Sequence, residues 1–216
     1  MSAFQPFRRH VGVAAPLPVD NVDTDTIFPA HWIRRMDADY AGALFANWRF
    51  LDGERDPDPD FVLNRAPYRR ASILVTGDNF GCGSSREHAV WALKAWGIRA
   101  ILARSLGDIF EGNCFKNGLL AVALDASAHS EVLSAAQAAS GADFVVDLEA
   151  CRIEPANGRS VRFEIAEGRR YQLLNGLDEI GVTLEETDAI DAFQERHREE
   201  QPWVWSALEA ERAKTS

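Results

Sequence analysis

The chain has 216 residues, 46% of them hydrophobic and 26% charged, which suits one generous globular domain and excludes a disordered or collagen-like chain. Lys and Arg number 23 against 33 Asp and Glu, a formal net charge of -10, so phosphate backbones are repelled and nucleic acid is not an expected partner. No apolar run reaches the roughly 20 residues that cross a bilayer, and Met1–His10 carries no apolar block of a secretory signal, so no membrane association is expected.

In chain order, residues 10–22 predict a short strand that breaks at Pro16 and Pro18. A polar knot follows, Asp23, Thr24, Asp25 and Thr26, and then a helical pattern over 37–50 that ends in Phe45, Trp48 and Phe50. Residues 52–67 are rich in Asp, Pro and Arg and predict a long loop that leaves the core. From residue 71 strands and helices alternate. A strand over 72–76 leads through a Gly-rich turn, 77–85, into a helix over 86–96 closed by Gly97. A strand over 98–102 precedes a helix running from an N-cap at Ser105 to Phe115, with Asp108 as the acidic member of a capping box. A strand over 119–124 and a helix over 127–139 complete the rhythm, which predicts a parallel sheet with crossover helices. Short strands over 144–148, 151–154 and 160–165 follow, the last two joined by a hairpin turn at Asn157-Gly158. Beyond them lie a helix over 169–175, a turn over 176–181, an amphipathic helix over 185–199 and a charged tail over 201–216.

Three cysteines, Cys82, Cys114 and Cys151, stand at wide spacings. An odd number without a C-x-x-C pair predicts no disulfide framework and no structural zinc site, and fits a reducing cytoplasm. No metal ligand set is expected on this chain.

The chemistry is concentrated in Gly77–His88, between a predicted strand and a predicted helix. Backbone amides converge at such a junction, and the helix dipole favours negative charge there. Gly77, Gly81 and Gly83 allow tight bends, while Ser84, Ser85 and Arg86 add hydroxyls and a fork-shaped cation suited to carboxylates. The plainer alternative is a turn with a helix cap. The segment is neither a P-loop, since the Lys is missing, nor a nucleophile elbow, since the second Gly of G-x-S-x-G is missing.

The run Asn79-Phe80-Gly81-Cys82-Gly83-Ser84-Ser85-Arg86-Glu87-His88-Ala89 resembles the signature of the small subunits of 3-isopropylmalate dehydratase, which correspond to the swivelling domain of aconitase. Four further blocks agree in order: Asn21–Ile27, Asn47–Leu51, Gly107–Phe110 followed by Asn113, and Asn175–Leu184. The resemblance spans about His10 to His197. It implies an α/β fold, a three-layer β/β/α swivelling domain. The expected organisation is a single domain over residues 1–200 with its loop near 52–67, followed by the tail.

The resemblance further implies a hydro-lyase of leucine biosynthesis that is active only with a large partner subunit, as a heterodimer or higher assembly. That partner would hold a [4Fe–4S] cluster, and this chain would bind no cofactor itself. The substrate would be a small dicarboxylate, with 2-isopropylmalate and 3-isopropylmalate interconverted through isopropylmaleate. In the family's pattern Ser84 is the base, Arg86 binds substrate, and Asp25 orients the cradle or a partner histidine. Ser85 and Gly83 fall where a hydroxyl or amide meets a carboxylate. Arg34 or Arg35 would contact a carboxylate from a specificity loop, with Trp32 and Ile33 near the substrate's side group. His88 lies inside the helix, where packing or capping is the expected role. The block from Asn175 to Leu184 is expected to be a turn supporting the cradle. Two alternatives stand beside this reading: a related hydro-lyase for homoaconitate, methylmalate or dimethylmaleate, and a non-catalytic anion-binding module.

Overall fold

The structure, a computed structural model, describes residues 3–33, 39–139, 141–156 and 158–206. The chain divides into two compact units between Asp178 and Glu179, well before the expected start of the tail at residue 201.

The larger unit is organised around one strand shared by two ladders. β1 (Arg9–Leu17) pairs through residues 14–17 in parallel with β2 (Ile73–Thr76), and through residues 9–13 antiparallel with β5 (Asp143–Asp147). β3 (Ala100–Ala103) and β4 (Leu120–Ala123) extend the parallel ladder; β6 (Arg152–Glu154) and β7 (Val161–Arg162) extend the antiparallel one. The strand order is β4-β3-β2-β1-β5-β6-β7. Pro16 does not end β1, contrary to expectation. It sits in the half of the strand that has β2 as its ladder neighbour and β5 no longer beside it, so its missing N–H breaks no second ladder.

Side-chain alternation divides the core into two layers. Leu74, Ile101, Ala103 and Ala121 face one cluster, which also contains Phe28, Phe45, Ala89, Leu93 and Phe110. Ile73, Val75, Leu102, Leu120 and Val122 face the other, built with Val132, Phe144, Val146, Ile153 and Val161. The second cluster therefore packs antiparallel strands over the parallel sheet, and the first packs helices beneath it: a β/β/α sandwich, as expected. Burial on both faces explains why the parallel strands read as nearly continuous apolar runs.

Most helices fall where the sequence places them, with instructive exceptions. Between β1 and β2 lie α1 (Thr24–Ile27), α2 (Ala30–Ile33), α3 (Tyr40–Ala43) and α4 (Ala46–Arg49). The single helical pattern around 37–50 is broken because Phe45 adopts a left-handed φ of 51°. α5 (Glu87–Trp96) ends on Gly97 at φ 107°, as the sequence indicates. α6 (Asp108–Lys116) starts after Gly107, so Ser105 is not its cap; the Ser105 hydroxyl is spent on the loop after β2. α7 (Ala126–Ala138) is capped by Asp125, which accepts from Ser127 and Ala128. α8 (Glu167–Asn175) closes on Gly176, whose carbonyl accepts from the amides of Ala3 and Phe4. The second unit contains α9 (Glu179–Leu184) and α10 (Thr187–Glu200). Residues 179–184 are thus a helix rather than the expected turn. Asn157 lies outside the described residues, so its hairpin expectation does too.

The excursion from 50 to 71 is tied down by polar groups. Arg49 is only 7% exposed; its Nη1 donates to the carbonyls of Ala41 and Leu44, and its guanidinium stacks on Trp96 and Phe50. Burial lowers its pKa. Asn64 Nδ2 donates to the carbonyls of Arg49 and Asp58, and Leu63 enters the core. Asp52 closes the outer turn by accepting from the amides of Glu54, Arg55 and Asp56 at 2.9, 2.7 and 3.0 Å. Those donors hold its carboxyl pKa at about 2.

A folded pKa below the unfolded value stabilises above the unfolded pKa and is lost as pH falls through the folded one. The stability difference between the wild type and Asp52→Ala should therefore be full at neutral pH. It should shrink below the ordinary carboxylate range and vanish under about pH 2, as read by urea denaturation across pH.

Candidate active site

The parallel strands deliver their loops to one end of the sheet, where open α/β folds bind ligands. The loop after β2 is gripped from both sides by main-chain hydrogen bonds. On one side the amide of Asn21 donates to Asp78 O, that of Gly81 to Val22 O, and that of Thr24 to Cys82 O, at 2.8, 2.7 and 3.0 Å. On the other, Phe80 N donates to Ser105 O and Gly107 N to Phe80 O, at 3.1 and 2.9 Å. Side chains reinforce the grip: Asp78 N donates to Asp20 Oδ1, Asn79 N to Ser105 Oγ, and Asn79 Nδ2 to Asn21 Oδ1.

This clamp explains two glycines. Gly81 has φ 76°, and a Cβ there would meet the Phe110 ring at 2.2 Å. Gly83 has φ 88° and turns the chain toward α5.

Beyond Gly83 the chain is open. Gly83, Ser84 and Ser85 are exposed, and Arg86 is the N-cap of α5 with no side-chain cap. The amides of Ser84, Ser85 and Arg86 have no acceptor among the described residues. A ten-residue helix thus presents unsatisfied N–H groups and the positive end of its dipole beside two hydroxyls. Arg86 Nη1 pairs with Asp25 Oδ1; the two side chains are 24% and 49% exposed. Asp25 is set by α1, which Asp23 caps by accepting from Thr26 N at 2.6 Å. Chemically this arrangement suits an anion: a guanidinium held by Asp25 and two exposed serines stand beside free amides at the helix start.

Of the residues expected at the site, the structure brings together Asp25, Gly83, Ser84, Ser85 and Arg86. Arg34 and Arg35 lie outside the described residues. Trp32 is buried in the core, whereas Ile33 is exposed. The His88 ring lies among Phe28, Tyr40 and Trp91, with centroids at 5.8, 6.3 and 4.9 Å, which is a packing role. One residue carries more than the sequence suggests. Thr24, 2% exposed, donates its hydroxyl to Ser84 O at 2.9 Å. No local pattern announces that contact, because its partner is 60 residues away.

Among the described residues no group of three or more His, Cys, Asp or Glu side chains is placed to hold a metal ion. Cys82, Cys114 and Cys151 are free thiols. Burial, and then Glu111, push the Cys114 pKa up, so it stays a neutral thiol. These residues do not fit an iron–sulfur cluster. No helix among them is long and apolar enough to cross a membrane.

A strand–loop–helix cradle of this kind, set in a β/β/α sandwich, defines the aconitase type of swivelling domain, and the profile of the aconitase C-terminal domain matches residues 4–127. A second profile, that of the C-terminal domain of the 3-isopropylmalate dehydratase small subunit, matches residues 179–204. The chain is 52% identical to the 3-isopropylmalate dehydratase small subunit of Rhodospirillum centenum, covering 89% of this chain and 95% of that one. It is 47% identical to that of Agrobacterium fabrum, covering 92% and 98%. A crystal structure of 3-isopropylmalate dehydratase from Methanocaldococcus jannaschii superposes with a TM-score of 0.60 at 28% identity, over 86% of this chain and 99% of that one. The chain belongs to the family of 3-isopropylmalate dehydratase small subunits.

The clamp makes a steric prediction. Gly81→Ala combines a left-handed φ with a clash into Phe110. It should destabilise the fold by about 2–4 kcal/mol, read as a lowered urea midpoint.

Proposed function

We propose that this chain supplies one wall of a two-subunit hydro-lyase that interconverts 2-isopropylmalate and 3-isopropylmalate through isopropylmaleate. The observation that carries the reading is the run of exposed Ser84 and Ser85 and half-buried Arg86 at the open N-terminus of α5, with Arg86 held by Asp25. Family membership supports it, since the relatives carry that enzyme's name and are small subunits. The other wall then belongs to a large partner subunit, which also holds the [4Fe–4S] cluster and with it Lewis-acid chemistry for the departing hydroxyl. A cytoplasmic location goes with the three free thiols.

On this chain the steps concern charge and one proton. Arg86 presents a planar fork to one carboxylate of the substrate, and Asp25 keeps the fork aimed. Amides at the helix start, with Ser85 and Gly83, receive carboxylate oxygens. Ser84 Oγ, as alkoxide, takes the proton from the carbon next to the one that loses hydroxide, leaving the C=C bond of isopropylmaleate and a neutral serine. Rehydration reverses these moves with the hydroxyl placed on the other carbon. A free serine is almost wholly protonated at neutral pH, so the amides and Arg86 must favour the anion. Arg34 or Arg35 and the exposed Ile33 complete the substrate-selecting side.

The test is turnover of the reconstituted complex, followed by the ultraviolet absorbance of the unsaturated intermediate. This chain alone should be inactive. Ser84→Ala should lower kcat by about 10²–10⁴-fold while the subunits still co-elute. Activity from the isolated chain, or full activity of Ser84→Ala, would overturn the reading, and preferential turnover of another dicarboxylate would redirect it within the hydro-lyases.

A further inference from the structure

We propose that Thr24 is a positioning residue that sets the direction of the Ser84–Ser85 peptide and so aims the Ser85 amide at the substrate's carboxylate; this rests on the reading of the site given above. Thr24 is anchored on every side. It starts α1, its amide donates to Cys82 O, its carbonyl accepts from Phe28 N at 3.0 Å, and Asp23 caps the turn. From this buried position its hydroxyl reaches Ser84 O at 2.9 Å.

The peptide after Ser84 is trans, as are all described peptides except Ala66-Pro67. In a planar trans peptide the carbonyl and the following N–H point in opposite directions. Drawing Ser84 O inward toward α1 therefore turns the Ser85 N–H outward, where it has no acceptor among the described residues. An anionic ligand then meets a donor instead of the negative end of a carbonyl. Among the described residues no other hydrogen bond holds Ser84 O or the Ser85 N–H. Gly83, with φ 88°, brings no Cβ to restrict the backbone here, and Ser84 and Ser85 are exposed. The three contacts from Thr24 and Asp25 to Cys82, Ser84 and Arg86 thus divide the work: register, peptide direction and guanidinium aim.

The experiment uses the reconstituted two-subunit enzyme carrying Thr24→Val, which keeps the shape and removes the donor, and Thr24→Ser, which keeps the donor. Thr24→Val should raise KM for 3-isopropylmalate about tenfold or more, and Thr24→Ser should restore it to within about twofold. A merely structural Thr24 would lower the melting temperature and the yield of complex, yet leave KM of the assembled enzyme unmoved; that result overturns the inference. Should Thr24→Val fail to assemble, Thr24→Cys, with its weaker donor, is read the same way, and a wild-type KM again overturns it. Ser84→Ala run alongside separates the two ideas. If that variant is inactive and Thr24→Val has a normal KM, only the positioning role fails; if Ser84→Ala is fully active, the reading of the site itself fails.

Discussion

The main-chain seam between residues 21–24 and 78–82 is the constraint on which the rest of the site depends. Apart from Thr24, which opens α1, neither segment has a regular structure of its own, yet each supplies the other with the partners that buried backbone groups require. Because the seam binds the excursion after β1 to the loop after β2, the two halves of the site, Asp25 and Arg86, are fixed relative to each other. The ion pair is the visible result, but it is half-exposed and worth little stability on its own. Its geometry is enforced by the seam, and its value is in orientation.

Electrostatics complete the design. The chain carries a net charge of -10, so any attraction for an anion has to be local. Amide dipoles, a helix terminus and one guanidinium are concentrated where Gly83 to Arg86 lead into α5. Arg49 shows the contrasting use of the same residue type. Buried between Trp96 and Phe50 and bonded to carbonyls through Nη1, it organises the approach to the loop at 52–67 and is shielded from solvent rather than presented to a ligand.

Much of this was legible from residue patterns. The strands of the parallel ladder, α5 with its Gly97 cap, and the cradle at 77–88 follow from apolar runs, turn residues and the family signature. Where the reading failed, a distant partner had intervened. Ser105 looks like a helix cap but bonds to Asp78 and Asn79 across the loop. Trp32 sits beside the expected specificity loop but packs into the core. The helical pattern before Phe50 breaks because Phe45 turns left-handed to bury its ring beside Trp48 and Phe61.

The sequence alone determined the α/β class and the family, and it singled out Ser84, Arg86 and Asp25 as candidates, because local periodicity and a contiguous motif are properties of neighbours along the chain. Tertiary structure decided which groups meet: that Asp25 holds Arg86, that Thr24 reaches Ser84, and that β1 serves two ladders. Those contacts join segments about 60 residues or more apart. Hydrogen bonding and packing choose among such partners only once the chain has closed on itself, so no window of sequence contains the answer.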